Sequence, residues 1–299
     1  MNESYHPFKS EKAKEKYLAF YDEHARLWPV PSENKYIETS YGQTYVRISG
    51  PEDKPPLILL PGDTENSLSW IPQIKDFSEQ YRTYALDQIY DNGRSIYSRP
   101  LKEPADFVNW LNELFNSLNL KHDINLLGFS YGGWLTSIYA LAHPERLNKV
   151  ILISPSSTVM QPRVGYLIIA IITHFFPTYF FVRRLVNWER KCLVKQGAVG
   201  RAKADQMIEE VVLAGKCFKK RKFVNSTVMS DRDLQNLKVP TLYLIGDQEV
   251  LYAPNKVVQR LNYVAPQIKT EIIPDASHDI THSQSVIVNR TILNFLQEE

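Results

Sequence analysis

The stretch Ile124-Asn125-Leu126-Leu127-Gly128-Phe129-Ser130-Tyr131-Gly132-Gly133 decides how this chain folds. Its first four residues read as a buried strand, and residues 132–142 read as a helix. The pattern Gly-x-Ser-x-Gly therefore falls where a strand turns sharply into a helix. At such a turn the serine sits in a strained position, and small residues two before and two after it let neighbouring backbone pass. The helix that follows contributes free N–H groups and a partial positive charge, which suit a developing oxyanion. Ser130 is thus the candidate nucleophile. The competing reading is a tight glycine-rich connection with an incidental serine.

Working outward, the same alternation recurs. Residues 57–60, 81–86, 124–127 and 150–153 read as strands, with helices at 105–118 and 132–142 between them. After a gap, strands at 241–245 and 270–273 alternate with helices at 255–261 and 286–296. Strand and helix alternating at this spacing predict an α/β fold, a mostly parallel central sheet with helices on both faces. Upstream, residues 36–39 and 43–49 alternate β-formers around Tyr41-Gly42, as a hairpin does, and residues 9–27 have helical spacing that Pro29 and Pro31 end.

Between 155 and 237 the rhythm is lost over a stretch too long for a structureless loop in a compact domain, so it must fold on its own terms. The expected organisation is an N-terminal helical extension (1–35), a core formed by 36–154 and 238–299, and a helical cap or lid (155–237). Residues 164–182 of the cap are strongly apolar, but Gly165, Thr173, His174, Pro177 and Thr178 interrupt them, which argues against a membrane-spanning helix. Cap helices that bury one face on the core and line an apolar acyl pocket are expected instead, with Leu167, Ile168, Ile169, Ile171, Ile172, Phe175, Phe176 and Phe180 as lining candidates.

Composition narrows the function. With 35 Lys and Arg against 33 Asp and Glu, the net charge is only +2, so nothing in the balance drives binding to nucleic acid. Two cysteines, Cys192 and Cys217, exclude a disulfide framework and a four-cysteine zinc site, and neither has a metal-ligand neighbour at the usual spacing, so no metal is assigned. Neither GxxxxGK[ST] nor GxGxxG occurs, which removes nucleotide cofactors; no cofactor is expected. The first residues lack the apolar run of a secretory signal, and a cytoplasmic setting is expected. The run 216–222, Lys-Cys-Phe-Lys-Lys-Arg-Lys, reads as a solvated helix face, with docking to an anionic lipid surface or an acidic partner as the sharper alternative.

A serine hydroxyl needs a base, and the base needs an acid to fix its tautomer. His278 follows the strand 270–273 on a loop at the carboxyl edge of the sheet, where open α/β folds handle ligands. His282 is the rival. The acid should come from the loop Gly246-Asp247-Gln248-Glu249-Val250, where Glu249 is preferred and Asp247 is the alternative that could instead brace the turn. The order Ser130, Glu249, His278 is the one the α/β-hydrolase fold uses. A second oxyanion donor should come from the loop Leu60-Pro61-Gly62-Asp63-Thr64. The Asp63 N–H would face the Tyr131 N–H, and Gly62 is a further candidate of the oxyanion and substrate-binding set.

With these motifs together, residues 36–154 and 238–297 resemble an α/β-hydrolase fold protein of the esterase-like group, with a helical cap inserted after the sixth strand. The resemblance rests on Leu60-Pro61-Gly62 followed by Trp70, on Asp87 with Gly93-Arg94-Ser95, on Gly-Phe-Ser-Tyr-Gly-Gly, on Gly246 with Glu249, and on His278. It implies a serine hydrolase, a carboxylesterase acting on an apolar ester through a Ser-His-Glu triad and an acyl-enzyme. The chain departs from the family in having Pro61 where a histidine is usual and in placing a carboxylate, Asp63, beside the oxyanion site. Two other readings are a carbon-carbon bond hydrolase using the same triad and a non-catalytic ligand-binding relative. The expected partner is a small apolar acyl substrate. Membrane contact is not expected, and if present would run through the apolar cap or the 216–222 run. Oligomeric state is not legible.

Overall fold

The computed structural model describes residues 3–298, so Met1 and Asn2 of the N-terminal extension and Glu299 of the last core segment lie outside the described residues. Helix α1 (Glu11–Ala25) starts at Ser10, whose side chain accepts the Ala13 N–H. A hairpin follows, β1 (Glu33–Thr39) and β2 (Gly42–Ser49). Then come β3 (Pro56–Leu60), α2 (Ile71–Ser78), β4 (Arg82–Leu86), the two-residue β5 (Ile96–Tyr97), α3 (Pro104–Ser117), β6 (Ile124–Phe129), α4 (Tyr131–Ala142) and β7 (Leu147–Ile153). The strands form one sheet in the order β1-β2-β4-β3-β6-β7 with β8 (Thr241–Gly246) and β9 (Ile268–Ile273) completing it; β5 pairs with β2. From β4 onward along this order every pairing is parallel, and β2 is antiparallel to β1 and β4.

The apolar runs are continuous because both faces of the sheet are buried, and successive side chains go to opposite layers. Leu57 and Leu59 of β3, Leu127 and Phe129 of β6, and Leu242 and Leu244 of β8 enter one core with Ile74 and Phe77 of α2. Helix α12 (Ser285–Gln297) closes that layer with Val288, Ile292 and Phe295. The alternating residues Ile58, Leu60 and Leu126 face the other way, against Trp110 and Leu114 of α3 and Trp134 of α4. Next to them, Tyr243 and Ile245 pack on α10 (Pro254–Val264) through Val257 and Leu261.

Between β7 and β8 lie α5 (Val164–Phe175), α6 (Tyr179–Glu189), α7 (Lys191–Val194), α8 (Ala198–Cys217) and α9 (Asp231–Asn236). The apolar stretch that begins at Val164 breaks at Phe176-Pro177-Thr178 into two helices, and no helix of the described residues is long and apolar enough to cross a membrane. Leu167, Ile168, Ile171, Phe175, Phe176 and Phe180 stand out to solvent, so they do not line a buried acyl pocket as expected. The solvated-helix reading of 216–222 is also corrected. The helix ends at Cys217, Lys219 pairs with Glu3 at 2.5 Å, and Arg221 turns inward onto two carboxylates. Helix α1 clasps this segment to the core. Tyr17 and Tyr21 pack with Ala214, Cys217 and Phe218, and the Tyr21 hydroxyl bonds to Ser67 at 3.0 Å and Asp87 at 3.2 Å.

Candidate active site

The last residue of β6 delivers the chain into Ser130, whose φ of 50° and ψ of −115° lie outside the ordinary allowed regions for a residue with a Cβ. Close packing imposes this turn. A Cβ on Gly128 would lie 2.2 Å from the Gly132 carbonyl oxygen, and one on Gly132 would lie 2.3 Å from the carbonyl oxygen of Pro61. The glycines around the serine are therefore required by backbone that passes at van der Waals distance. The Ser130 N–H donates to the Ile153 carbonyl at 2.9 Å, and its own carbonyl accepts from Trp134 at 3.1 Å and Ser156 at 2.8 Å, which over-determine the strained conformation.

The Ser130 Oγ lies 2.9 Å from His278 Nε2, and His278 Nδ1 lies 3.0 Å from Glu249 Oε2. A carboxylate can only accept, so the Nδ1 proton belongs to His278 and Nε2 is left to accept from the serine hydroxyl. The other Glu249 oxygen accepts the N–H groups of Val250 at 2.7 Å and Leu251 at 3.0 Å, which fixes the carboxylate at the start of its loop. Both side chains are buried. Desolvation would raise the Glu249 carboxyl and lower the His278 imidazole, but the mutual charge and hydrogen bond outweigh it. Glu249 is held below its ordinary value and His278 above its own.

The two rivals are elsewhere. Asp247 is exposed, and its carboxylate accepts the Ala276 N–H at 3.2 Å, bracing the turn that leads into His278. His282 lies in α11 (Ile280–Ser283), with its ring bonded to neither Ser130 nor an acid among the described residues.

The loop after β3 faces the start of α4. Among the described residues the main-chain N–H groups of Tyr131 and Asp63 donate to no protein acceptor, and both residues line the same small cleft, with Phe107 and Phe223. The Gly62 N–H is not available to an oxyanion, because it donates to Glu65 Oε2 at 3.2 Å. Gly62 instead gives room, since a Cβ there would press on Glu65 and Phe129. The Asp63 carboxylate turns to Arg221 Nη2 at 3.1 Å, and the same nitrogen reaches Asp91 at 2.6 Å, so Asp63 shares with a second carboxylate one guanidinium that sequence reading had left in solvent.

One residue was missed outright. Arg190, at the end of α6, donates to the His278 carbonyl at 2.8 Å and to Glu65 Oε1 at 2.5 Å, with its guanidinium 5.5 Å from the Phe129 ring centre. Glu65 holds the Gly62 N–H with its other oxygen. One part-buried ion pair therefore joins the inserted helices, the loop after β3 and the loop that carries His278. Asp279 adds a second tie, accepting the Leu193 N–H at 2.6 Å. An isolated arginine in a stretch without periodic signal gives sequence reading nothing to act on.

Known proteins fit this architecture. Residues 55–182 match the model of the alpha/beta hydrolase fold family. A protein of Bacillus subtilis (strain 168), named uncharacterized carboxylesterase nap, is 32% identical over 95% of this chain and 93% of its own length. Carboxylesterase YbfK of the same organism is 31% identical over 92% of each. Among solved structures, naproxen esterase (carboxylesterase NP) from Bacillus subtilis superposes with a TM-score of 0.85 at 29% identity, covering 97% of this chain and all (100%) of that one. Carboxylesterase CesB (YbfK) superposes at 0.86, again at 29% identity, over 96% and 99%.

Proposed function

The chain belongs to the α/β-hydrolase fold family, within which it is a carboxylesterase, and on that premise we propose that Ser130, His278 and Glu249 carry its chemistry by acyl transfer. The observation that carries the reading is the pair of bonds from His278, 2.9 Å to Ser130 and 3.0 Å to Glu249, in a buried setting.

Ser130 Oγ attacks the ester carbonyl carbon while His278 Nε2 takes its proton; the imidazolium so formed is stabilised by Glu249 through the Nδ1 proton. Negative charge grows on the carbonyl oxygen. The N–H groups of Tyr131 and Asp63 hold it, aided by the positive end of α4, and each such donor is worth about 10²–10³ in rate. Collapse expels the alcohol, which receives the proton from His278. A water then attacks the acyl-enzyme with His278 again as base, and release of the acid restores Ser130.

Phe107 and Phe223 give apolar surface to a cleft beside Tyr131 that Asp63, Asp91, Arg221 and Lys222 also line with charge, and those two rings are what supports an apolar substrate. The pairing of Asp63 with Arg221 supports catalysis over mere ligand binding, because a guanidinium shared with Asp91 offsets part of the negative charge on the oxyanion side. We assign the cap role to 155–237 on the strength of Arg190 and Asp279, which tie that segment to the His278 loop. A reducing, cytoplasmic compartment is supported by two free, buried thiols, Cys192 and Cys217.

A fluorophosphonate probe tests the assignment. It is expected to label Ser130 and abolish hydrolysis of a short-chain aryl ester, and Ser130→Ala should take no label. Labelling that persists at another residue in Ser130→Ala, with turnover intact, would overturn it.

A further inference from the structure

Ile168 and Ile171 of α5, Phe175 at its end, Phe176 in the connection, and Tyr179 and Phe180 at the start of α6 are each more than half exposed. Four aromatic rings thus crowd the tip of a helical hairpin that faces water. Monomeric proteins seldom leave an apolar patch of this extent uncovered without a use for it. The tip does not hang free: Pro177 packs so closely on α8 that a Cβ on Gly215 would come within 2.8 Å of its ring.

The charge around the tip says what covers it. Residues 155–188 contain no aspartate and no glutamate, whereas Arg163, Arg183 and Arg184 lie there and are all exposed. A second copy docked by a twofold axis would bring two cationic faces together. An anionic bilayer complements both parts of the surface, since aromatic and aliphatic side chains enter the headgroup boundary while flanking arginines meet lipid phosphates. We propose that the α5–α6 hairpin is a docking surface for an anionic lipid bilayer.

The position of the hairpin gives the docking a purpose. The ring of His174, in the last turn of α5, lies 5.9 Å from that of Phe223, and Phe223 lies 5.3 Å from Tyr131, the residue after the nucleophile. One aromatic residue, Phe223, stands between His174 and Tyr131, which with Phe223 lines the small cleft next to the nucleophile turn. An ester dissolved in the bilayer would enter there, a consequence that rests on the reading of Ser130 above. Binding itself needs no turnover, so the two can fail separately.

The test is sedimentation of the full chain with phosphatidylcholine vesicles, with and without phosphatidylglycerol, at low and high salt. Binding is expected only to the anionic vesicles and should weaken with salt. Phe175→Ser/Phe180→Ser should weaken it about a hundredfold. Arg183→Glu/Arg184→Glu, which alters only exposed head groups and decides the matter should the first variant fail to fold, should weaken it roughly thirtyfold or more. The proposal is overturned if the wild type ignores anionic vesicles or if binding survives both variants. It is equally overturned if sedimentation velocity finds a dimer that the phenylalanine variant dissolves.

Discussion

Arg190 Nη2 lies 2.5 Å from Glu65 Oε1, so that a helix of the insertion and the loop after β3 share one part-buried ion pair. The same guanidinium bonds to the main chain of His278, and the same carboxylate bonds to the main chain of Gly62. The loop after β3 and the loop that carries His278 are thereby both tied to one arginine that lies between them.

Replacing Arg190 by methionine leaves Glu65 partly buried without this counter-charge. Breaking a fully buried pair costs about 3–5 kcal/mol and an exposed one about 1 or less, so this part-buried pair should cost about 1–3 kcal/mol. Urea unfolding should show a loss in that range, and kcat should fall while KM moves less, because the oxyanion loop and the base are misplaced. Combining it with Glu65→Gln should recover part of the stability. A loss confined to KM would contradict the positioning role.

The pH profile follows from the triad. His278 must be neutral to accept the serine proton, and Glu249 raises its pKa above the ordinary 6.5 despite burial. Activity is therefore lost as pH falls through that raised value, and the acid limb of kcat/KM should lie above 6.5. In Glu249→Gln the raising charge is gone and burial remains, so the limb should move to lower pH. The plateau kcat should drop by as much as about 10⁴, as when a triad acid is neutralised. An unmoved limb would mean that another group titrates.

Asp63 and Arg221 separate main-chain from side-chain roles. Asp63→Asn keeps the N–H assigned to the oxyanion, and kcat/KM for an aryl ester should stay within a few-fold of wild type. Arg221→Met leaves Asp63 and Asp91 facing the same site uncompensated. It should cost about 3 kcal/mol or more in stability and reduce kcat well beyond the Asp63 change. A large loss in Asp63→Asn would give the side chain a role that its pairing with Arg221 does not suggest.

The elbow glycines are a packing requirement. Gly128→Ala would force its Cβ against the Gly132 carbonyl, at 2.2 Å in the unrelaxed backbone. Overpacking backbone against backbone typically costs 1–3 kcal/mol or more, and thermal melting should show at least about that loss together with near-complete loss of esterase activity. A fully stable, active variant would show that the turn can relax.

Which acid serves His278 was open in the sequence, because Asp247 and Glu249 share one five-residue loop and either side chain could reach. The answer depends on rotations set by neighbours: the Ala276 N–H claims Asp247, and two adjacent N–H groups orient Glu249 inward. Likewise the 216–222 run looks like any cationic helix face until Asp91 and Asp63 draw Arg221 in. The apolar pattern of 164–182 told of helices but not of the side on which they would be covered.

By itself the sequence determined the inner strands β3, β6, β7 and β8, since burial on both faces writes each around a continuous apolar run, and the elbow, since only glycine admits the backbone that crosses it. Tertiary structure alone decided the contacts between distant segments: Arg190 with Glu65 and His278, Arg221 with Asp63, Glu249 over Asp247. Periodicity records what a residue's own element buries. A pair far apart in the chain is fixed only when the loops that carry it are packed together.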